Sequence, residues 1–408
     1  MFIIIWKNWR QFWKIKVYRI GTVIFTIGSL LCGFNQSLSF LLFARVVQSI
    51  GASMTMATNS GIITEVFPLN ERGRALGAVG AFVSLGAIAG PGIGGLILSN
   101  FSWSYIFWIN VPVGLVTILI GEKFLPKDIT KTKEKIDFSG FACIAIAIMT
   151  FFGGIFLGQE SGFGSLQSYL LFIIAVIALG LFIMVERKRK SPLIKFAIFK
   201  NKIFTLSLLS AVLIFASNFF VNVVIPFYLQ DARKLSASYA GLLMMVFPLL
   251  MVVGAPLSGY LTDKIGPGIL TFGGLLLLCC TSLMYMFLDM NSPIWYYVIA
   301  TAIMGLGNAL FQSPNNTMVM SSVEKQDLGV AGSMNSFARN LGMVIGIALS
   351  TTILYRGMSE AYGERVTTYL ANRPDIFIVG MRETFFVAFL LCVAAFILTI
   401  LRFRKTTK

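Results

Sequence analysis

An all-α bundle that crosses a lipid bilayer about twelve times is the fold this sequence predicts, on three observations. Hydrophobic residues make up 57% of the 408 and charged residues only 12%, and mean hydropathy is +0.82, outside the range of a soluble domain. Apolar stretches of about 20 residues, the length a helix needs to cross the hydrocarbon core, recur along the chain, and none alternates in the short pattern of a barrel strand. The basic residues fall by topology. With the N-terminus in the cytoplasm, 25 of the 33 Lys and Arg lie on inward segments, 6 on outward loops, and Arg45 and Arg339 within helices. That bias is the positive-inside rule and places both termini in the cytoplasm of a multi-pass cell-membrane protein. The net charge of +16 therefore orients the chain and gives no support to nucleic-acid binding.

Twelve segments follow in order, separated by polar turns: 17–36, 40–66, 74–99, 103–121, 138–158, 167–186, 203–229, 239–260, 268–288, 294–319, 328–354 and 381–401. The opening stretch is basic, and Met1 to Ile5 is too short and too poorly flanked for a signal peptide. Arg72 and Arg74 precede the third segment, and the basic run Lys123 to Lys135 follows the fourth. Arg187 to Lys202 follows the sixth, Arg233 and Lys234 mark the outer end of the seventh, and Lys264 and Lys325 close the eighth and tenth. Four regions are expected: a cytoplasmic segment 1–16, an incomplete N-terminal helical half 17–137, a helix pair with a basic linker 138–202 (the extra pair implied by the resemblance given below), and a C-terminal six-helix half 203–408.

The third segment carries the run Gly86-Ala-Ile-Ala-Gly90-Pro91-Gly92-Ile-Gly94-Gly95. In a soluble helix glycine costs about 1 kcal/mol and proline about 3 relative to alanine; in a membrane, neighbouring helices re-satisfy the backbone groups they free. Gly86, Gly90 and Gly94 are spaced i, i+4, i+8 and line one face, where another backbone can approach closely. A generic packing helix accounts for a lone GxxxG, but not for Gly-Pro-x-x-Gly-Gly at a fixed offset from it. The run is also part of an internal repeat. A shift of 256 residues lays Gly51 on Gly307, Asn59 on Asn315, Gly73 on Gly329, Gly86 on Gly342 and Gly90 on Gly346. Two halves related in this way, with a substrate site between them, are a transporter architecture.

The glycine run resembles the fifth-helix antiporter signature of drug:proton exporters in the major facilitator superfamily. Phe43-Ala-Arg45-Val-Val-Gln48-Ser-Ile-Gly51 is similar to the superfamily's fourth-helix motif, and Asn70-Glu71-Arg72-Gly73-Arg74 to the cytoplasmic link that follows it. Trp103-Ser-Tyr-Ile-Phe107-Trp-Ile-Asn110-Val-Pro112-Val-Gly114 resembles the sixth-helix opening of the fourteen-helix drug:proton antiporters. Gly259-Tyr-Leu-Thr-Asp263-Lys264-Ile-Gly266 resembles the gating-loop motif of the second half. In that register the resemblance implies that the first two helices of the fourteen-helix pattern are missing. The loop's Asp and second Gly fall on Arg10 and Trp13, so that 1–16 is expected to be either a degraded gating loop or the result of a start codon placed too late.

The resemblance implies efflux of amphipathic, often cationic drugs by alternating access, with protons as the coupling ion and the lipid bilayer as partner. It implies that Asp263 makes charge contacts holding one gating state. The alternatives are a narrow-substrate exporter of the same fold, or a truncated member with little or no transport activity.

No enzyme chemistry is expected. Histidine is absent, the five cysteines lie in apolar segments, and there is no Walker A loop, so no metal or cofactor is predicted and energy must come from a gradient or a partner. None of the 17 acidic residues lies near a helix centre, and the carboxylate that would carry a proton cannot be assigned. An intramembrane arginine costs at least about 3 kcal/mol unless paired or solvated. Arg45 is placed in a cavity or gating role, with snorkelling as the alternative, and Arg339 in a water-lined or paired position. The amides Asn218 and Asn222, and Asn308, Gln312 and Asn315, fall at helical spacing on one stripe each. Interhelical hydrogen bonding and cavity lining, with Gln48 and Phe227 as further lining residues, are equally weighted readings.

Overall fold

The computed structural model describes residues 14–34, 37–66, 72–125, 138–161, 165–188, 196–324, 327–370 and 373–406. Its helices are α1 (Lys14–Gly33), α2 (Leu38–Val66), α3 (Arg72–Asn100), α4 (Tyr105–Trp108), α5 (Asn110–Phe124), α6 (Phe138–Ser161) and α7 (Leu166–Lys188). After a 3-10 turn (Phe196–Lys200) come α8 (Lys202–Pro226), a π-helical turn (Phe227–Ala232), α9 (Ala237–Met244), α10 (Val246–Ile265), α11 (Pro267–Met286), α12 (Ile294–Ser321), α13 (Leu328–Tyr362) and α14 (Pro374–Thr406). Every one of the twelve expected segments is helical, and no strand occurs among the described residues. Eleven helical stretches among them are long and apolar enough to span a membrane, and α3 runs through the third expected segment. The degraded loop with Arg10 and Trp13, and the Asn70–Glu71 link, lie outside the described residues.

Local chemistry sets the boundaries. Asn201 caps α8 by accepting from the amides of Ile203 and Phe204 at 2.9 and 3.3 Å. Gly266 ends α10 at φ 84°, ψ 152°, a conformation essentially confined to glycine, and Pro267 opens α11 at once. The π-helical turn follows Pro226 directly. Large apolar side chains remain exposed on many helices, Phe82 at 74% and Leu166 at 73%, which suits a surface facing hydrocarbon rather than water.

Two compact units are present: Met1–Ala145 with Gly180–Leu193, and Ile146–Leu179 with Ile194–Lys408. In the first, α1 and α2 are pressed together through glycine. A Cβ on Gly28 would lie 2.5 Å from the backbone nitrogen of Gln48, and one on Gly51 would strike the Phe25 backbone. Arg19 of α1 donates to the carbonyls of Gly121 and Leu125, each at 3.1 Å, and so closes the C-terminus of α5.

The second unit has a dense core around Phe220, Tyr228, Tyr285, Phe377 and Phe385. Here α11 and α12 repeat the α1–α2 contact: a Cβ on Gly274 would lie 2.7 Å from the Gly307 carbonyl oxygen. The 256-residue shift that aligns Gly51 with Gly307 thus relates two helix pairs built on the same close approach.

Candidate functional site

In the first unit Arg45 is already partnered. Its guanidinium donates to Gln48 Oε1 at 3.0 Å and lies 4.5 Å from the centre of the Phe107 ring. Gln48, 7% exposed, donates in turn to Ser29 Oγ at 2.8 Å. The motif Arg45-x-x-Gln48 is therefore a small network joining α1, α2 and α4, with Gln48 holding the arginine and a helix contact at once. The antiporter glycines behave otherwise. Pro91 and Gly95 lie within an unbroken α3, and a Cβ added at Gly86, Gly90 or Gly94 would meet no atom within 4 Å among the described residues. The close approach expected on that face is found on its repeat counterpart. A Cβ on Gly342 would strike the Val212 carbonyl, and one on Gly346 the Ala216 carbonyl, both on α8.

The amide stripes of the second unit separate into two groups. Asn218 and Asn308 exchange reciprocal hydrogen bonds of 2.5 and 3.1 Å, and Asn308 also donates to the Met304 carbonyl at 3.0 Å. Both are buried, as is Asn315, which donates to the Ser207 carbonyl at 3.2 Å. These three join helices. Asn222 is exposed, and Gln312 and Phe227 are half-buried, so these three remain accessible on their unit. A small crevice, with room for about one water, adjoins the Asn218 pair, lined among others by Ser217, Thr281, Ser282, Tyr285 and Cys392.

The gating-loop residues occupy the end of α10. Gly259 lies beside Ser313, with 3.6 Å between its would-be Cβ and Oγ. Asp263 is exposed and forms no ion pair among the described residues, so the charge contact implied for it is not made there. Arg339 on α13 is also exposed and without a hydrogen-bond or ionic partner among them.

Sequence reasoning missed Arg402. Counted as a tail charge, it is 1% exposed and donates to Ser207 Oγ at 2.9 Å, Thr271 Oγ1 at 3.0 Å and Asn315 Oδ1 at 3.1 Å. It thereby ties α8, α11 and α12 to α14. Only the amide at 315 hinted at a buried partner. Glu186, placed at a helix end by sequence, is 1% exposed. In the turn between α11 and α12, Asp289 accepts from the Asn291 amide at 2.8 Å and the Ser292 hydroxyl at 3.0 Å. The Asn291 amide first, then Ser292, holds its carboxyl below the usual carboxylate range.

A bundle of this kind, with two units sharing an internal repeat and polar groups distributed along its spanning helices, defines a multi-pass membrane transporter rather than an enzyme. The chain belongs to the Major Facilitator Superfamily, which it matches over residues 1–347 and again over 207–408. It is 33% identical over 394 residues to the riboflavin transporter RibZ of Clostridioides difficile, covering 96% of this chain and 84% of that protein. It is 27% identical over 365 residues to the lincomycin resistance protein LmrB of Listeria monocytogenes, covering 87% and 77%. The multidrug resistance protein Stp of Mycobacterium tuberculosis is 27% identical over 343 residues, covering 84% and 64%. Among solved structures, the peptide transporter POT superposes with a TM-score of 0.67 at 12% identity, over 98% of this chain and 84% of that one. That likeness is one of fold.

Proposed function

We propose that this transporter is a proton-coupled exporter of the cell membrane, moving amphipathic drug-like molecules outward by alternating access, with both termini cytoplasmic. The observation that carries the reading is the Gly86-to-Gly95 run within α3, which resembles an antiporter signature in a chain whose relatives include proteins named for multidrug and lincomycin resistance. In this reading the N-terminal half 17–137 and the C-terminal half 203–408 rock, and 138–202 is an accessory pair with its linker. Asn222, Gln312 and Phe227, the accessible members of their stripes, contact cargo. Asn218, Asn308, Asn315 and Gln48 hold the helices that present them. Gly259, Asp263 and Gly266 form the gating loop, and Arg45 is a gating charge held by Gln48.

A second reading is favoured by one observation: the riboflavin transporter matches 96% of this chain. A narrow-substrate exporter of the same fold is therefore tested beside the first. The chain is expressed in a host stripped of its own pumps, and efflux of a drug panel and of riboflavin is followed with and without nigericin, which collapses the pH gradient. Efflux of several unrelated amphiphiles, lost with nigericin, is the expected result. Efflux of riboflavin alone would replace drug export with the narrow reading, and nigericin-resistant efflux would remove proton coupling.

A further inference from the structure

Arg339 lies eleven residues beyond Leu328, about 16 Å along α13 at 1.5 Å per residue. The helix register fixes the side from which it leaves. At about 100° per residue, Arg339 points within about 20° of Gly346 and about 40° of Asn335. Gly346 abuts Ala216 and Phe219 of α8, and Asn335 donates to Asn316 Oδ1 of α12 at 2.8 Å. Ala348, where Gln159 of α6 is fastened at 3.0 Å, lies about 180° round the helix. The register therefore turns Arg339 to the side of α13 that meets α8 and α12, the side on which Asn335 bonds Asn316.

Three other arginines near or within spanning helices have their acceptors. Arg19 has two helix-end carbonyls, Arg45 has Gln48 and the Phe107 face, and Arg402 has Ser207, Thr271 and Asn315. Arg339 is exposed, with no acceptor and no carboxylate within ion-pair distance among the described residues. Arginine keeps its charge at every physiological pH, and its planar fork matches a carboxylate, phosphate or sulfonate with two parallel hydrogen bonds. Neutral amides can bond either donors or acceptors, so the arginine's fixed charge, rather than the amides, sets a sign preference for what is held there.

We infer that Arg339 is the counter-charge for cargo, and that the transporter selects amphipathic molecules carrying an anionic group over cationic ones. This rests on the reading of the chain as an exporter of amphiphiles and reverses the charge preference that the drug-exporter resemblance implies. A guanidinium held on the α8–α12 side repels a lipophilic cation, and a cargo anion supplies the partner that the chain itself does not.

The test uses the purified full chain in proteoliposomes with an imposed pH gradient and two dyes of one scaffold, anionic carboxyfluorescein and cationic rhodamine 123. Wild type is expected to carry the anion at least about tenfold faster than the cation, roughly 1.4 kcal/mol of discrimination. Arg339→Gln should abolish that preference mainly through KM, and Arg339→Lys should keep part of it. Thermal melting of each variant separates lost selectivity from lost folding, and the lysine variant keeps the test open if the glutamine variant does not fold. Vesicles of phosphatidylcholine alone are compared with vesicles containing phosphatidylglycerol. A preference that persists without anionic lipid assigns the charge to cargo, and one that requires anionic lipid overturns the inference in favour of a headgroup contact. A cation preference in wild type, or an unchanged ratio in Arg339→Gln, overturns the inference and leaves transport standing. Failure of wild type to move either dye or any member of the drug panel overturns both.

Discussion

Arg402 shows how far a single side chain's role can sit from its sequence position. It adjoins Arg404 and Lys405 in a basic tail, yet it donates to acceptors on α8, α11 and α12, between 87 and 195 residues away in sequence. No periodicity reports such a contact. Removing the guanidinium leaves Ser207, Thr271 and Asn315 short of a charged donor, and hydrogen bonds to charged groups contribute roughly 1.5–3 kcal/mol each before compensation. Arg402→Met is expected to destabilise by about 3 kcal/mol or more, read as a lower melting temperature in detergent; an unchanged melting point would show that the network adds nothing. The Asn218–Asn308 pair was more legible, because 4- and 7-residue amide spacing marks an interior stripe. Spacing could not say whether the stripe faces cargo or another helix. A double-mutant cycle with Asn218→Ala and Asn308→Ala should give a coupling near 1 kcal/mol, in the range of interhelical hydrogen bonds in membranes. Asp289 carries a pH argument. Its lowered pKa stabilises the fold above the unfolded value near 4 and loses that contribution only as pH falls through the depressed value. Asp289→Asn should therefore leave the shape of a transport–pH profile unaltered between about pH 5.5 and 8.

Among the helices, the twelve segments were legible because hydropathy and basic flanks follow from the bilayer itself. The breaks within them were not. The π-helical turn Phe227–Ala232 and the joint between α9 and α10 at Met245 change hydrogen-bond partners without changing polarity, and only Pro226 signals the first. Glycine spacing was a weaker guide than glycine position. On the densest run, in α3, a Cβ at Gly86, Gly90 or Gly94 would meet no atom within 4 Å among the described residues, while the sparser Gly342 and Gly346 press on α8. A leucine at Gly342 or Gly346 must displace backbone, so either variant is expected to fail to fold or to melt far below wild type. Gly90→Leu should insert and melt normally, because its site is open, and yet lose export if the run acts in transport. Normal export by a well-folded Gly90→Leu protein would strip the motif of that role. Gly266 belongs here too: Gly266→Ala forces a Cβ into a backbone region that costs about 1–3 kcal/mol, and a melting curve identical to wild type would refute the strain.

For the molecule as a whole, the 256-residue shift pairs Gly51 with Gly307, and each meets the preceding helix of its own unit at close range. The attachment of α6 to α13 was not legible in sequence, because among the described residues its hydrogen bonds run through one glutamine. Gln159 of α6 donates to the Ala348 carbonyl at 3.0 Å, Thr351 Oγ1 at 3.0 Å and Thr352 Oγ1 at 2.6 Å, and its own carbonyl accepts from Arg365 at 2.6 Å. All of these partners lie on or just beyond α13, the helix that also packs through Gly342 and Gly346 onto α8. The C-terminal end of α6 is thus fastened to a helix that is itself fixed within its unit, and the two should move as one body. Each threonine hydroxyl already bonds a carbonyl one turn back, so cutting the latch strands no donor. Gln159→Leu should then cost only about 1 kcal/mol. The sharper experiment locks the contact. With the native cysteines replaced, Gln159→Cys and Thr352→Cys should cross-link rapidly under mild oxidation, at a rate that does not depend on added substrate. The cross-linked transporter should retain its export rate, because a bond between parts that never separate restrains nothing. A locked protein that stops transporting, and resumes on reduction, would mean that α6 slides on α13 during the cycle and that the accessory pair is a moving part.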